Sequence, residues 1–330
     1  MWIKEYVKLN FPLDPNDLRI QDAIKLKHQN IPSSLYRYRK FNEWSLKNLI
    51  EEQERQSYPI EFNDPFDASL KINYEEVSKE LFLKRNMKNI INELEKSGVD
   101  IEDKDLKTIN LSDQPIYDFV KLISKFDSNL NGKEDEFAKI LSEQTLNSIK
   151  EMFSKLRTSF QNGYLIVCFS ELKDEVLMWS HYAENHTGFC IEYNFQELGL
   201  FNAQSRMLNP VIYTDELFDA TQYILQPLIL ENHNFNNLFG IYSTISKSTK
   251  WSYEKEWRTV FPLGPGASEE DRFIKVPKPK ALYVGAKSTE DNIRKLMDIA
   301  VIKEIPLYQI ILSDTSHDLK QHVLYNPTES

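Results

Sequence analysis

Between residues 74 and 160 apolar side chains recur three and four positions apart, as at Val77 and Leu81 or Ile90, Ile91 and Leu94, and this spacing predicts amphipathic helices. Clusters of Ser, Asp, Asn and Gly near Gly98 and Gly132 predict the turns between them. On either side the pattern changes to short extended runs. Strands are expected at residues 35–39, 164–170, 188–193, 211–213, 256–261, 272–276, 281–284 and 308–312. Helices are expected at 45–53, 176–182, 217–230 and 290–303, with 60–70 extended or turning around Asn63-Asp64-Pro65. Strands come in groups without a regular strand–helix alternation, which predicts an α+β fold built on a mixed sheet. The chain therefore divides into an N-terminal cap (1–30), a mixed α/β core (31–74 and 161–330) and a helical insertion (75–160).

One polar stretch stands out against this background, Lys250-Trp251-Ser252-Tyr253-Glu254-Lys255-Glu256-Trp257-Arg258. If it is extended, Ser252, Glu254, Glu256 and Arg258 share one face, while Trp251, Tyr253 and Trp257 share the other. Three aromatics on one side require a core behind them, so the Glu-x-Glu side is expected to look into a cleft or solvent. The plain alternative is a surface strand whose Glu and Arg pair across a ladder. On this geometry Glu256 adds little to packing, and its replacement by Gln is expected to change stability by no more than roughly 1 kcal/mol.

Composition narrows the class. A chain of 330 residues that is 41% hydrophobic can bury a sizeable core, and no apolar run reaches the ~18–20 residues of a membrane span, so the cytoplasm is the default location. A net charge of −10 argues against a generally basic coat for nucleic acid; the basic clusters at residues 1–40 and at Arg272, Lys275, Lys278 and Lys280 read as solvated faces. Cys168 and Cys190 lie in apolar runs and are expected as buried, reduced thiols. Together with His181 and His186 they offer zinc-type ligands, but the spacing does not fit a zinc site, and no metal is expected. Here His181 reads as a helix-end residue reaching a cleft and His186 as a turn residue. Phosphate-binding loops and the G-x-S-x-G elbow are absent, and adjacent Ser180 and His181 are poorly placed for nucleophilic catalysis.

Several motifs occur in order: Leu35-Tyr36-Arg37-Tyr38-Arg39, Phe62-Asn63-Asp64-Pro65-Phe66-Asp67, Cys168-Phe169-Ser170, Met178-Trp179-Ser180-His181-Tyr182 with His186, Gly188-Phe189-Cys190, Trp251 with Tyr253 to Arg258, and Tyr283-Val284-Gly285-Ala286-Lys287. They resemble the successive motifs of the bacterial domain-of-unknown-function 2971 family, whose members occur in settings associated with phage defence. A looser resemblance is to ADP-ribosyltransferases, through an early basic strand, a following helix and a late Glu-x-Glu; Ser243-Thr244-Ile245-Ser246 only approximates the Ser-Thr-Ser strand of one transferase group. That resemblance implies a mixed sheet core of ADP-ribosyltransferase-like type, NAD as co-substrate, and a nucleic-acid or protein acceptor. It assigns Glu256 to the ribose and the oxocarbenium-like transition state, Glu254 to the acceptor and His181 to the same catalytic group. Arg37 or Arg39 would grip a phosphate or carboxamide, with Tyr38, Ser170, Trp179 and Tyr182 completing the NAD site. Two further readings stand beside it: an N-glycosidase acting on a nucleic-acid base, and a non-catalytic module that binds a nucleotide or protein.

Overall fold

The computed structural model describes residues 2–228, 234–264 and 272–328. Two amphipathic helices open the chain, α1 (Trp2–Asn10) and α2 (Ile20–Gln29), turning Tyr6 and Ala23 inward. Next come β1 (Leu35–Arg39), α3 (Glu43–Ile50), β2 (Gln53–Arg55) and β3 (Leu70–Lys71). Asn42 caps α3 by accepting the Ser45 N–H, and the helix stops at Ile50, short of the expected residue 53, because residues 53–55 are drawn off as a strand.

Helices α4 (Tyr74–Leu81), α5 (Met87–Lys96), α6 (Asp103–Asn110), α7 (Pro115–Ile123) and α8 (Glu134–Asn162) follow without an intervening strand. Their stripes meet one another: Phe82, Met87, Ile91, Ile109, Phe119 and Leu122 form one cluster. The base of this helical stretch docks through Val77, Ile149 and Phe153 onto Ala220 and Ile224.

The remaining elements are β4 (Tyr164–Ser170), α9 (Val176–Tyr182), β5 (Phe189–Tyr193), α10 (Ala203–Met207), β6 (Leu208–Pro210), β7 (Ile212–Thr214), β8 (Phe218–Asp219) and α11 (Thr221–Leu228). They continue with α12 (Phe239–Ile245), β9 (Ser246–Ser248), β10 (Glu256–Pro262), β11 (Phe273–Lys275), β12 (Ala281–Val284), α13 (Glu290–Lys303), β13 (Leu307–Leu312) and β14 (Leu319–Tyr325). The expected helix at 217–230 starts later, after β8, and its residues 229–230 lie outside the described ones. Strand β14 escapes the hydrophobic pattern because it is an edge strand with Lys320, Gln321 and His322 facing water.

Eight strands form one mixed sheet in the order β14-β13-β12-β5-β1-β4-β10-β6. Neighbours run antiparallel except β12 and β13, which are parallel and joined by the α13 crossover. Register sets the two faces. On one, Leu35, Val167, Phe169, Phe189, Ile191, Trp257 and Leu282 pack with Leu49 of α3 and with Leu296 and Ile299 of α13. The other face carries two separate apolar patches. Tyr36, Tyr38, Cys190 and Tyr283 meet Met178 and Trp179 of α9, whereas Ile166 and Val260 meet Tyr6, Ala23 and Ile245 of α1, α2 and α12. Polar side chains occupy the ground between those patches. No helix among the described residues is long and apolar enough to cross a membrane.

Candidate functional site

The middle of the sheet is where backbone pairing gives out. Strands β4 and β10 pair along their whole length, but β1 and β4 share one position, Tyr36 with Ser170. Where that ladder would continue, the Arg37 guanidinium donates to the Cys168 carbonyl at 2.8 Å. A cavity of about 320 Å³ opens over this split, within the usual size range of small-molecule sites.

Its polar wall is the stretch singled out in the sequence, in a different conformation from the one expected. Residues Thr249–Glu254 form a 3₁₀ helix, and Lys255 is left-handed with φ 45° before β10 begins at Glu256. Trp251 and Tyr253 therefore do not share a strand face with Trp257. Trp257 packs into one core cluster and Tyr253 against another, around Tyr38 and Trp179, while the Trp251 ring lies 5.0 Å from the Lys247 ammonium. Ser170 holds the turn, donating to the Glu254 carbonyl at 2.6 Å, and the Glu171 N–H donates to the Lys255 carbonyl at 3.0 Å. The kink keeps Glu254 and Glu256 at one cavity, and both are buried, at 2% and 5% exposure.

Glu256 accepts from Arg258 Nε at 2.8 Å, from its Nη2 at 3.0 Å and from Lys247 Nζ at 2.9 Å. Arg258, with 0% exposure, also makes a two-point contact to Asp67 and donates to the Thr244 carbonyl at 2.6 Å. Lys247 bridges to Glu254, whose other oxygen accepts the Tyr182 hydroxyl at 2.7 Å. Three carboxylates, Asp67, Glu254 and Glu256, thus face two cations, Lys247 and Arg258. The imbalance separates the two glutamates. Burial alone would raise the Glu256 carboxyl, but Arg258 and Lys247 override it and hold that group well below the usual carboxylate range. Burial and then the Glu256 charge push Glu254 up against the opposing pull of Lys247. Lys247 ends above its ordinary value, because Glu256 and Glu254 outweigh the effects of burial and Arg258.

The other expected site residues divide. Arg37, Tyr38, Ser170, His181 and Tyr182 line the same cavity as Glu254 and Glu256. Arg39 does not. Like Arg37 it leaves β1 on the face opposite Tyr36 and Tyr38, but it stays there, paired with buried Glu54, itself bonded to the Tyr193 hydroxyl. Trp179 is also outside the cavity: it is fully buried, its Nε1 donates to the Lys173 carbonyl at 2.7 Å, and its ring supports Tyr38 edge-on at 5.2 Å. Ser170 reaches the cavity with its hydroxyl already committed to the Glu254 carbonyl. Ser243 and Thr244 belong to α12, so no Ser-Thr-Ser strand forms there.

Cys190 is buried as expected, but Cys168 is only half-buried and lines the cavity; burial and the nearby Glu256 carboxylate raise its thiol. His186, rather than His181, meets Ser180, at 3.1 Å. The Ser180 hydroxyl already donates to the Val176 carbonyl, so the pair is a structural clasp and not an activated nucleophile. It steadies a turn in which Glu184, Asn185 and His186 all have positive φ. A side chain on Gly285 would collide with the His186 carbonyl there, its Cβ only 2.2 Å away. Among the described residues no group of three or more His, Cys, Asp or Glu is arranged to hold a metal ion.

Lys247 and Asp67 are the site residues that sequence reasoning did not place, whereas Arg258 was expected on the Glu-x-Glu face and is found paired with Glu256. Lys247 sits between two serines with no periodic signal, whereas Asp67 ends the Asn63-to-Asp67 motif and could have been found from it. Comparison with known proteins adds one finding: residues 178–259, from α9 into β10, match the family model described as protein of unknown function (DUF2971). Over that segment the chain is similar to the DUF2971 family. His181, Tyr182, Lys247, Glu254, Glu256 and Arg258 fall inside the DUF2971 match; Arg37, Tyr38 and Asp67 reach the same cavity from outside it. No curated protein and no solved structure matches.

Proposed function

We propose that this protein breaks the N-glycosidic bond between a base and ribose, with NAD as the donor and ADP-ribose passed to a nucleic-acid or protein acceptor, on an ADP-ribosyltransferase-like frame. The observation that carries it is the pair of buried glutamates with opposite electrostatic character on one cavity wall. Pairs of carboxyls pushed apart in this way mark an acid–base group beside a permanently ionised one. As the C1′–N bond breaks, its electron pair leaves with nicotinamide as a neutral ring and positive charge develops on the ribose. Lys247 spreads the one uncompensated negative charge of the cluster over Glu254 and Glu256, where it meets that developing charge. Glu254, ionised, then takes the proton of the acceptor nucleophile as its bond to C1′ forms. Tyr36, Tyr38 and Tyr182 offer rings to a planar base, and Arg37 offers a cation to a phosphate or carboxamide. The gap in pairing between β1 and β4, with a basic strand on one side and Glu-x-Glu on the other, supports the transferase-like reading of the fold.

A second substrate class is favoured by the raised Glu254 itself. Nicotinamide needs no proton to leave, whereas a base in DNA or RNA leaves readily only when protonated, and a carboxyl kept neutral can supply that proton. The experiment is to incubate the purified chain with NAD, and separately with single- and double-stranded nucleic acid, reading nicotinamide release and abasic sites. Nicotinamide release that disappears in Glu254→Gln supports the first reading, and abasic sites without NAD loss support the second. NAD binding without turnover of either substrate leaves a non-catalytic nucleotide module.

A further inference from the structure

A second cavity, of about 350 Å³, lies between α1, α2, α10 and α12 and the β6–β10 end of the sheet. Lys27 lines it at 2% exposure, which is rare for lysine unless a partner compensates the charge. Among the described residues its ammonium makes one hydrogen bond, to the Arg206 carbonyl at 2.7 Å, so two of its three donors are unused. Arg206 stands beside it at the same cavity, and among the described residues no carboxylate is paired with either cation. The rest of the wall is mixed. Tyr6 donates to Asn209 Oδ1 at 2.7 Å, and Ile24, Met207, Ile241 and Val260 supply apolar surface.

A purely structural role for Lys27, tying α2 to the end of α10, accounts for one donor. It leaves unexplained why that tie is a buried ammonium next to a second cation, an arrangement that costs stability unless a negative charge is supplied. We propose that this cavity binds a small organic monocarboxylate, its carboxylate paired with Lys27 and Arg206 and its apolar body resting on Ile24, Met207 and Ile241. The site is independent of the glycosidic chemistry proposed above.

Burial and then Arg206 lower the Lys27 ammonium to about 7, so an anion arriving above that pH must bring a proton with it. Arg206 and Tyr6 are the ionisable groups facing Lys27 across the cavity, and burial raises Tyr6 well above its ordinary value, so it stays neutral over this range. The test is titration calorimetry with octanoate in two buffers of different ionisation heat. Saturable binding is expected, with roughly 0.9 proton taken up per ligand at pH 8 and roughly 0.1 at pH 6. Lys27→Met should melt at or above the parent and bind at least tenfold more weakly. Arg206→Gln, at an exposed position that leaves the backbone bond intact, should fold and bind several-fold more weakly. Octanoate affinity unchanged in both variants, or no saturable binding in the millimolar range, overturns the proposal; displacement of octanoate by inorganic phosphate overturns its apolar half.

Discussion

Replacing Glu256 by Gln tests whether the buried charge set is read correctly, and the structure reverses the expectation of a small effect. The carboxylate contributes three charge-assisted bonds at 2.8, 3.0 and 2.9 Å to Arg258 and Lys247. Taking one partner out of a buried ion pair costs about 3–5 kcal/mol, because the remaining charge is left in a poor solvent. Arg258 retains its two-point contact with Asp67, and Lys247 retains Glu254, so the cost should lie at the lower end, near 3 kcal/mol. At about 2 °C per kcal/mol for a chain of this size, that is a fall in Tm of roughly 6 °C. The assay is thermal melting of Glu256→Gln beside Glu254→Gln at pH 7. Burial and the Glu256 charge both work against an ionised Glu254, so its amide should melt within roughly 2 °C of the parent. Equal melting of the parent and Glu256→Gln would show that Glu256 is not a structural ion-pair partner, and the network reasoning would fail.

The same Glu254→Gln variant should lose about a hundred-fold in glycosidic cleavage while keeping its melting temperature, and full activity would remove Glu254 from the chemistry. If the neutral-base substrate is the right one, cleavage should fall as pH rises through the raised Glu254 value, since only the protonated carboxyl serves as acid; a rate that climbs with pH there would exclude that role. Glu256 has a folded-state value below its unfolded one, so its contribution is present above about pH 4.5 and is lost as pH falls toward the folded value; the stability gap between parent and Glu256→Gln should close in acid melts. Lys27 is the opposite case of a depressed base: its burial cost is full below about pH 7 and fades toward about 10.5, so the parent should gain stability over that range relative to Lys27→Met. Lys247→Met should cost several kcal/mol at pH 8, and adding Glu254→Gln should recover at least about 1 kcal/mol; strictly additive losses would mean Lys247 does not bridge the two glutamates.

The strands that build the site were legible because their apolar runs are buried on both faces. β4 and β5 read from Tyr164–Ser170 and Phe189–Tyr193, and β1 from Leu35, Tyr36 and Tyr38. Residues 75–160 were legible from the opposite signal, a period near 3.6 with no His, Cys or Trp. The Glu-x-Glu wall was located through a conformation that does not exist. Its left-handed residue is Lys255, and a lysine gives no warning of positive φ as a glycine would. Nor could spacing separate Arg37 from Arg39. Both lie on the same face of β1, and only the loss of pairing beside Arg37 lets its guanidinium reach the cavity. The burial of Lys247 and Arg258 side by side depends on α12, the 3₁₀ turn and the Asp67 loop meeting around the pair, which no local pattern records.

The charge count at the cavity bears directly on function. Replacing a buried ion set by well-packed apolar residues is often neutral or stabilising, so stability alone does not account for five ionisable groups in one place. Four of them could have closed the set electrically: Asp67 and Glu256 balance Arg258 and Lys247, and every strong donor would still have an acceptor. Glu254 is the surplus. Burial and the Glu256 charge raise its proton affinity, yet its backbone is held in place by Ser170 and its side chain by Tyr182. A group that costs stability, is positioned by two separate hydrogen bonds and lines a cavity is where a reaction rather than the fold sets the requirement. Glu254, more than the better-paired Glu256, is therefore the residue on which the proposed chemistry stands.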